Sequence, residues 1–310
     1  MAGRSPQVRK VLQLARRIAV HNMPVLLVGE TGTGKELLAH EIHRWSGRRG
    51  RIQDINCGSL PAGMVESLLF GHRKGSFTGA VRAASGLIKG AGGGTLFLDE
   101  LTSLPVEAQV KLLRVLETGQ VRPLGGSSDH RVDFRLIAAV QEDIWVRLEE
   151  DQFRQDLYQR VAGMVLTLPP LRDRPEDIVV LAHHFAEKDG SVLGNGTEAV
   201  LLNYSWPGNV RELRHAVQRA VVLSDGLKLT VEALSWAIEA GAPPELSGAA
   251  RGYLNERDFL LATCRENDWS AGMIAMALGI SRSTVFRRLK GAGISIRRSG
   301  GRGGRSKVSS

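Results

Sequence analysis

"PVLLVGETGTGKELLAHEIHRW", Pro24 to Trp45, decides how the rest of the chain reads. It opens on a continuous Val/Leu run ended by Gly29, the pattern of a strand buried on both faces of a parallel sheet. From Lys35 onward its apolar residues recur at helical spacing. Between the two, Gly29, Glu30, Thr31, Gly32, Thr33, Gly34, Lys35 and Glu36 fit G-x-x-x-x-G-K in the strand-to-helix setting that gives such a match meaning. Glycines there let backbone N–H groups curl around phosphate oxygens, the helix N-terminus adds partial positive charge, and Lys35 reaches the terminal phosphates. Glu36 stands where the generic pattern has a Ser or Thr to ligate magnesium. A Gly-rich turn with no ligand is the competing reading.

Working outward, "RIQDINC", "GTLFLDE" and "FRLIAAV" are further strand candidates separated by helix or loop material, and "SPQVRKVLQLARRIAVHN" is an amphipathic helix ahead of the first strand. Together they predict an α/β domain with a mostly parallel sheet. "GGTLFLDE" carries Asp99 to a strand end, where it can hold Mg²⁺, and beside it Glu100, which can orient a nucleophilic water. Hydrolysis also requires positive charge against the γ-phosphate. Arg154 and Arg160 in "DQFRQDLYQR" and Arg211 in "RELRHAVQR" are available, although on the residues alone each is equally a surface arginine. After "LPPLRDRPEDI" the strands stop, and the pattern from Asp177 to about Ala240 predicts a smaller all-helical domain. "GAPPELSGAA", 241–250, reads as a linker.

"GHRKGSFTGAVR", Gly71 to Arg82, poses a separate question. Gly75, Ser76, Phe77, Thr78, Gly79 and Ala80 form a loop that exposes an aromatic residue between two glycines, and a loop seldom does so unless something receives the ring.

The chain has 310 residues and is 43% hydrophobic, which excludes overall disorder. Its apolar runs are too short for a bilayer span and no signal-peptide pattern follows Met1, so a soluble, cytoplasmic protein that does not engage membranes is expected. Cys57 and Cys264 have no metal-ligand spacing and read as reduced cysteines. Of the net charge of +9, the segment from Arg251 to Ser310 carries +8, with 12 Lys+Arg against 4 Asp+Glu. Such a concentration points to nucleic acid as a partner, or to a solvated tail. Within it, "DWSAGMIAMALGISRSTVFRRLKGAGI" holds two helical segments about Gly279, packed through Ile274, Ala275, Leu278 and Ile280 and through Val285 and Leu289. Ser281 would cap the second helix, and Arg282, Ser283, Thr284, Arg287, Arg288 and Lys290 would point outward, as in a helix-turn-helix entering the major groove. Arg282 and Thr284 are the candidates for base edges, and Arg287, Arg288 and Lys290 for phosphates.

In order and spacing, "GETGTGKE", "ESLLFGHRKGSFTGA", "GGTLFLDE", "KLLRVLETGQVRPLG", "FRQDLYQR", "LPPLRDRPEDI" and "WPGNVREL" resemble the AAA+ ATPases that activate sigma-54 RNA polymerase from enhancers. The resemblance runs from about residue 5 to residue 296. It implies an AAA+ P-loop ATPase subdomain over 1–171, a helical lid over 172–240, the linker, a Fis-type helix-turn-helix domain over 251–298 and a basic disordered tail over 299–310. It also implies ATP and Mg²⁺ as cofactors, with Lys35 and the loop residues on the phosphates, Asp99 on the metal and Glu100 on the attacking water. Asn56 would restrain Glu100 and sense the γ-phosphate, Arg211 would be the lid sensor, and Arg154 and Arg160 would be fingers donated to a neighbouring subunit. In-trans arginines imply a ring, hexameric in this family, of one chain or two related ones. The Phe77–Thr78 tip would meet the sigma-54 holoenzyme, with enhancer DNA as the second partner. Val140 and Gln141 replace the family's Thr-Asn sensor pair, Gln141 keeping an amide, and Ser76 stands where Ala is usual. A start almost at the ATPase segment, with "GRRGRIQDINC" and the Gln-type sensor, is similar to activators of type III secretion genes, which separate regulatory proteins control; a piece cut from a longer regulator would begin the same way.

The function this implies is ATP-dependent remodelling of the polymerase to the open complex. Two others compete with it: a different AAA+ machine with DNA affinity, and a DNA-binding regulator that holds ATP with little turnover and works beside a catalytic partner.

Overall fold

The computed structural model describes residues 3–224 and 228–241, with single positions between 260 and 294. Five parallel strands form the central sheet: β1 (Val25–Val28), β2 (Ile52–Asn56), β3 (Thr95–Asp99), β4 (Arg135–Val140) and β5 (Met164–Thr167), in the order β2-β3-β4-β1-β5. Four of them are the strand candidates read from the sequence. The fifth, β5, pairs with β1 from Val25 opposite Met164 to Val28 opposite Thr167 and was not foreseen, because "GMVLTLPP" is a four-residue edge strand running straight into prolines.

Residues on alternate sides of each strand divide the core into two layers. Leu26, Val28, Leu96, Leu98, Leu136, Ala138 and Val140 face a cluster that includes Leu112 and Val115 of helix Val106–Thr118. Val25, Leu27, Phe97, Ile137, Ala139 and Leu166 face the opposite way, onto α1 (Pro6–Ala19) and α2 (Lys35–Ser46) through Ala15, Ile18, Leu38 and Ile42. Ser5 caps α1, its side chain accepting from the Val8 N–H, with Pro6 in the first turn. At the other end of α1, Arg135 is 2% exposed and donates to the Ile18 and Ala19 carbonyls, closing the orphan acceptors of that helix end.

Beyond β5 the chain forms the lid, built on helices Pro175–Lys188, Thr197–Leu202, α3 (Asn209–Leu223) and Val231–Glu239. Its core centres on Trp206, fully buried, whose indole donates to the Leu201 carbonyl and whose ring meets Tyr204 edge-on at 5.0 Å. The expectation of an all-helical unit needs one correction. Val192–Leu193 and Lys228–Leu229 pair as two short parallel strands, too short to show a period-two pattern in the sequence.

Ile274, Val285 and Leu289, three of the positions read as packing the C-terminal helices, are buried in one cluster with Leu260, Cys264 and Ile294. Ser281, Arg282, Ser283, Thr284, Arg287, Arg288 and Lys290 lie outside the described residues, as do the 299–310 tail and, apart from Gly241, the 241–250 linker. No helix among the described residues is long and apolar enough to cross a membrane.

Candidate functional site

The C-terminal ends of β1, β3 and β4 open into one cavity of about 430 Å³, covered on its far side by α3. It is lined by Thr31, Gly32, Gly34, Lys35 and Glu36 of the loop after β1, by Asp99 and Glu100 after β3, by Val140 and Gln141 after β4, and by Arg211, Arg214 and His215 of α3. Residues 180 positions apart in the chain thus share a crevice at the strand ends of an open sheet, where ligands bind in such folds.

Lys35 is 9% exposed at the start of α2, and its Nζ donates to the Gly29 carbonyl at 2.6 Å and the Glu30 carbonyl at 3.0 Å. An ammonium has three donors, so two are engaged in holding the loop closed. Burial pulls its pKa down, opposed by Asp99 and Glu100. Thr33 is buried, and its hydroxyl donates to the Glu30 carbonyl at 2.8 Å. Glu36 is exposed in the first helical turn, where a carboxylate suits the helix dipole.

Asp99 accepts from the Glu100 N–H at 2.9 Å, and Glu100 sits in the left-handed region at φ 52°, a conformation that is costly for a residue with a side chain and is found where geometry matters. Asn56 stands in register with Asp99 on the neighbouring strand. Its Oδ1 accepts from Ser59 N at 3.0 Å, capping the Cys57–Ser59 turn; among the described hydrogen bonds none joins it to Glu100. The element against which the Glu100 carboxylate lies is Gly58: a Cβ built there would fall 2.2 Å from Glu100 Oε2. No motif pointed to this glycine. The Cys57 thiol beside it is pushed up to about 12, by burial first and then by Asp99 and Glu100, so it stays protonated.

The lid meets the loop after β1 residue by residue. Glu30 takes a two-pronged ion pair from Arg172, at 2.6 and 2.9 Å, and a hydrogen bond from Asn209 Nδ2 at 3.0 Å. Asn209 also donates to the Thr31 carbonyl, Val210 N donates to the Gly32 carbonyl, and Arg174 donates to the Thr33 carbonyl, each at 3.0 Å. Approach is so close that a Cβ at Gly32 would lie 2.4 Å from the Gly208 carbonyl. Asn209 is fully buried at φ 54°, and its Oδ1 accepts from Leu171 N at 2.7 Å. The sequence alone does not single out Arg172 and Asn209; the "PGN" break after Trp206, a turn signal that also opens α3, is the available hint. Glu30, grouped with the phosphate-binding residues, turns its carboxylate to the lid.

Arg154 and Arg160 do not line this cavity. Arg154 pairs with Asp156 at 2.6 Å, and Arg160 donates to the Leu116 carbonyl at 2.7 Å. Both stand on or beside the helix Gln155–Val161, away from the loop of their own chain.

The 71–82 loop is a finger with a built neck. Gly71–His72 pairs antiparallel with Ala84–Ser85, and Gly75 N donates to the Ala80 carbonyl at 2.9 Å. Ala80, read with the tip, is buried and closes the loop. Gly75 and Gly79 have φ of 79° and 100° with open space where a Cβ would project, so backbone conformation alone demands glycine there. Phe77 is 42% exposed, its ring edge-on to His72 at 5.1 Å, and Thr78 is exposed. A second hairpin, Gln120–Val121 with His130–Arg131, stands against it: Arg73 N donates to the Leu124 carbonyl at 3.0 Å, and Leu124 N to the Gly71 carbonyl at 2.9 Å. Ser76 faces this hairpin, packing close to Gly125.

A parallel sheet with a lysine loop after its first strand, an acidic pair at the end of β3 and a helical lid over the cavity define an AAA+ domain. The chain belongs to the sigma-54 interaction domain family: the model of that family matches residues 1–167, and that of the AAA+ ATPase lid domain matches residues 172–250. Among similar curated proteins are the DNA-binding transcriptional activator HyfR of Escherichia coli K12, 41% identical, covering 94% of this chain and 47% of HyfR, and the C4-dicarboxylate transport transcriptional regulatory protein DctD of Rhizobium meliloti, 39% identical, covering 95% and 64%. This chain therefore spans roughly half to two thirds of these relatives' lengths. A crystal structure of NtrX from Brucella abortus in complex with ATP is 30% identical and superposes with a TM-score of 0.70 over 95% of this chain and 69% of NtrX.

Proposed function

We propose that this protein is an ATP-driven transcription activator that remodels the sigma-54 RNA polymerase holoenzyme to the open complex. One observation carries the reading: the chain joins a cavity lined by Lys35, Asp99, Glu100, Gln141 and Arg211 to a finger whose tip residues Phe77 and Thr78 are exposed. The ATP held by NtrX, and the activators among the relatives, support it.

The cavity fits Mg·ATP. Asp99 and Glu100 line it with hard oxygen donors, and phosphate oxygens and water would complete the shell of a Mg²⁺ held there. Asp99 would hold Mg²⁺, which neutralises phosphate charge when bound. The loop N–H groups and Lys35 grip the phosphates, Glu100 orients the attacking water, Gln141 offers an amide where the γ-phosphate ends, and Arg211 reaches in from the lid. Arg154 and Arg160, turned away from their own cavity, suit donation to the next subunit of a ring, which makes a hexamer of identical or paired chains the assembly to expect.

Residues 251–298 would bind upstream DNA, tethered by 241–250, with the 299–310 tail adding charge and control coming from a separate regulatory protein. The test is in vitro transcription from a sigma-54 promoter with ATP. Thr78→Ala should abolish open complexes while phosphate release persists, and Glu100→Ala should abolish both. Loss of ATP hydrolysis and DNA binding together with open complexes in Thr78→Ala would reduce the finger to a structural element. An absence of Glu100-dependent hydrolysis at any protein concentration would overturn the activator reading.

A further inference from the structure

Four consecutive residues of the phosphate-loop candidate, Glu30 to Thr33, are each bonded to the lid. Three of these bonds reach backbone carbonyls. The fourth is different in kind: it covers a carboxylate. Glu30 directly precedes Thr31, which lines the cavity, and a carboxylate left without partners that close to a bound anion would repel it. Both of its partners belong to the lid. Arg172, in the turn Leu171–Asp173, meets it with two parallel N–H···O bonds, the fork geometry that fixes a carboxylate most firmly. Asn209 is held rigidly on its other side by the Leu171 N–H and delivers the remaining hydrogen bond.

We propose that Glu30 is a charge latch between lid and phosphate loop. While the lid is docked, Arg172 and Asn209 neutralise and orient the carboxylate, and the loop can hold an anionic nucleotide. When the lid leaves, the bare carboxylate faces the phosphates and hastens release of the nucleoside diphosphate. Arg172 and Asn209 are positioning residues that act through Glu30. The inference rests on the nucleotide-binding reading of the cavity and adds to it a release step set by lid position.

The experiment is stopped-flow release of a fluorescent (mant) ADP from the full chain. Removing the guanidinium with Arg172→Gln should speed release about tenfold, the order expected when one like charge is left beside the phosphates in a partly solvated site. Glu30→Gln alone should slow release severalfold, because Arg172 is then free to attract phosphate. The double variant Glu30→Gln/Arg172→Gln should return to within about twofold of the parent rate, since the repelling charge is gone. If the double variant releases ADP as fast as Arg172→Gln, Arg172 is a mechanical tie and the latch is wrong; an unchanged rate in Arg172→Gln overturns it equally. Arg172→Lys, which keeps charge without the fork, should fall between parent and Arg172→Gln and serves if the glutamine variant is unstable; release from it as fast as from a bare carboxylate would count against charge as the cause. A parent chain that binds no mant-ADP would instead overturn the nucleotide-binding reading beneath the proposal.

Discussion

Gly58→Ala separates chemistry from folding more cleanly than removal of any charged residue. Position 58 is outside the left-handed region, so alanine is compatible with the backbone. The new methyl would fall 2.2 Å from Glu100 Oε2 and 3.3 Å from Asn56 Oδ1. Carbon and oxygen settle at about 3.3 Å or more, so the carboxylate must retreat by about 1 Å. What moves is the end of a flexible side chain, and the stability cost should stay near 0.5 kcal/mol. Catalysis is less forgiving. A displacement of about 1 Å in a group that orients the attacking water costs on the order of 10² in rate, or about 2.7 kcal/mol of barrier. Steady-state phosphate release should therefore fall about 100-fold, with nucleotide affinity within about twofold of the parent and an unchanged circular dichroism spectrum. Hydrolysis at the parent rate in folded Gly58→Ala would refute the assignment of Glu100 to the water. Equal loss of nucleotide binding would show that the turn supports the loop and not the carboxylate.

Two further outcomes follow from buried and paired charges. Arg135→Met strips the hydrogen bonds from the Ile18 and Ala19 carbonyls and should lower stability by about 1–3 kcal/mol in urea; an unchanged midpoint would mean that desolvation of the guanidinium, which lowers its pKa, cancels what the bonds contribute. The Glu30 carboxyl is held below its ordinary value of 4.5, chiefly by the Arg172 hydrogen bond, so its contribution is fully present above that value and is lost as pH falls through the lowered native one. Glu30→Gln should flatten the acid limb of the stability curve below about pH 4.5, and a limb as steep as that of the parent would show that other carboxylates set it.

The strand-to-helix loop and the acidic strand end were legible because each is local: a run of apolar residues, a few glycines and a charge within eight positions. The sheet was legible to the same extent, since a fully buried strand such as Arg135–Val140 announces itself by an apolar run, here unbroken from Leu136 to Val140. Met164–Thr167 did not, because an edge strand of four residues has room for no pattern, and only pairing with Val25–Val28 makes it a strand. Gly58, Arg172 and Asn209 were illegible for another reason. Their importance lies in which distant group each touches, Glu100 or Glu30, and separations of 42 to 179 residues leave no trace in spacing. Ala80 looked like part of an exposed tip because its neighbours are; the hydrogen bonds that bury it depend on the positive φ of Gly75 and Gly79, which the sequence permits but does not impose.

Under the proposed function a signal must pass from the cavity to the finger, and the structure supplies a short covalent route with few soft joints. The Glu100 carboxylate packs on Gly58, in the turn that Asn56 caps. That turn leads through a second tight turn, Ala62–Met64, into the helix Val65–Phe70, whose Val65, Leu69 and Phe70 are buried in the core layer shared with β3 and β4. The helix ends at Gly71 and passes directly into the neck of the finger. His72 ties the three together: Nδ1 bonds the Ser67 hydroxyl on that helix at 2.7 Å, Nε2 bonds the Arg82 carbonyl just ahead of the return strand at 2.9 Å, and the ring meets Phe77. A packed core is bistable and does not deform continuously, so a shift of about 1 Å at Gly58 is passed on by the helix as a rigid displacement. The compliant points are Gly75 and Gly79, beyond His72. Displacement is thus expressed at the tip, where Phe77 and Thr78 are exposed, and the second hairpin at Leu124, bonded to both Gly71 and Arg73, restricts the direction in which the finger can swing.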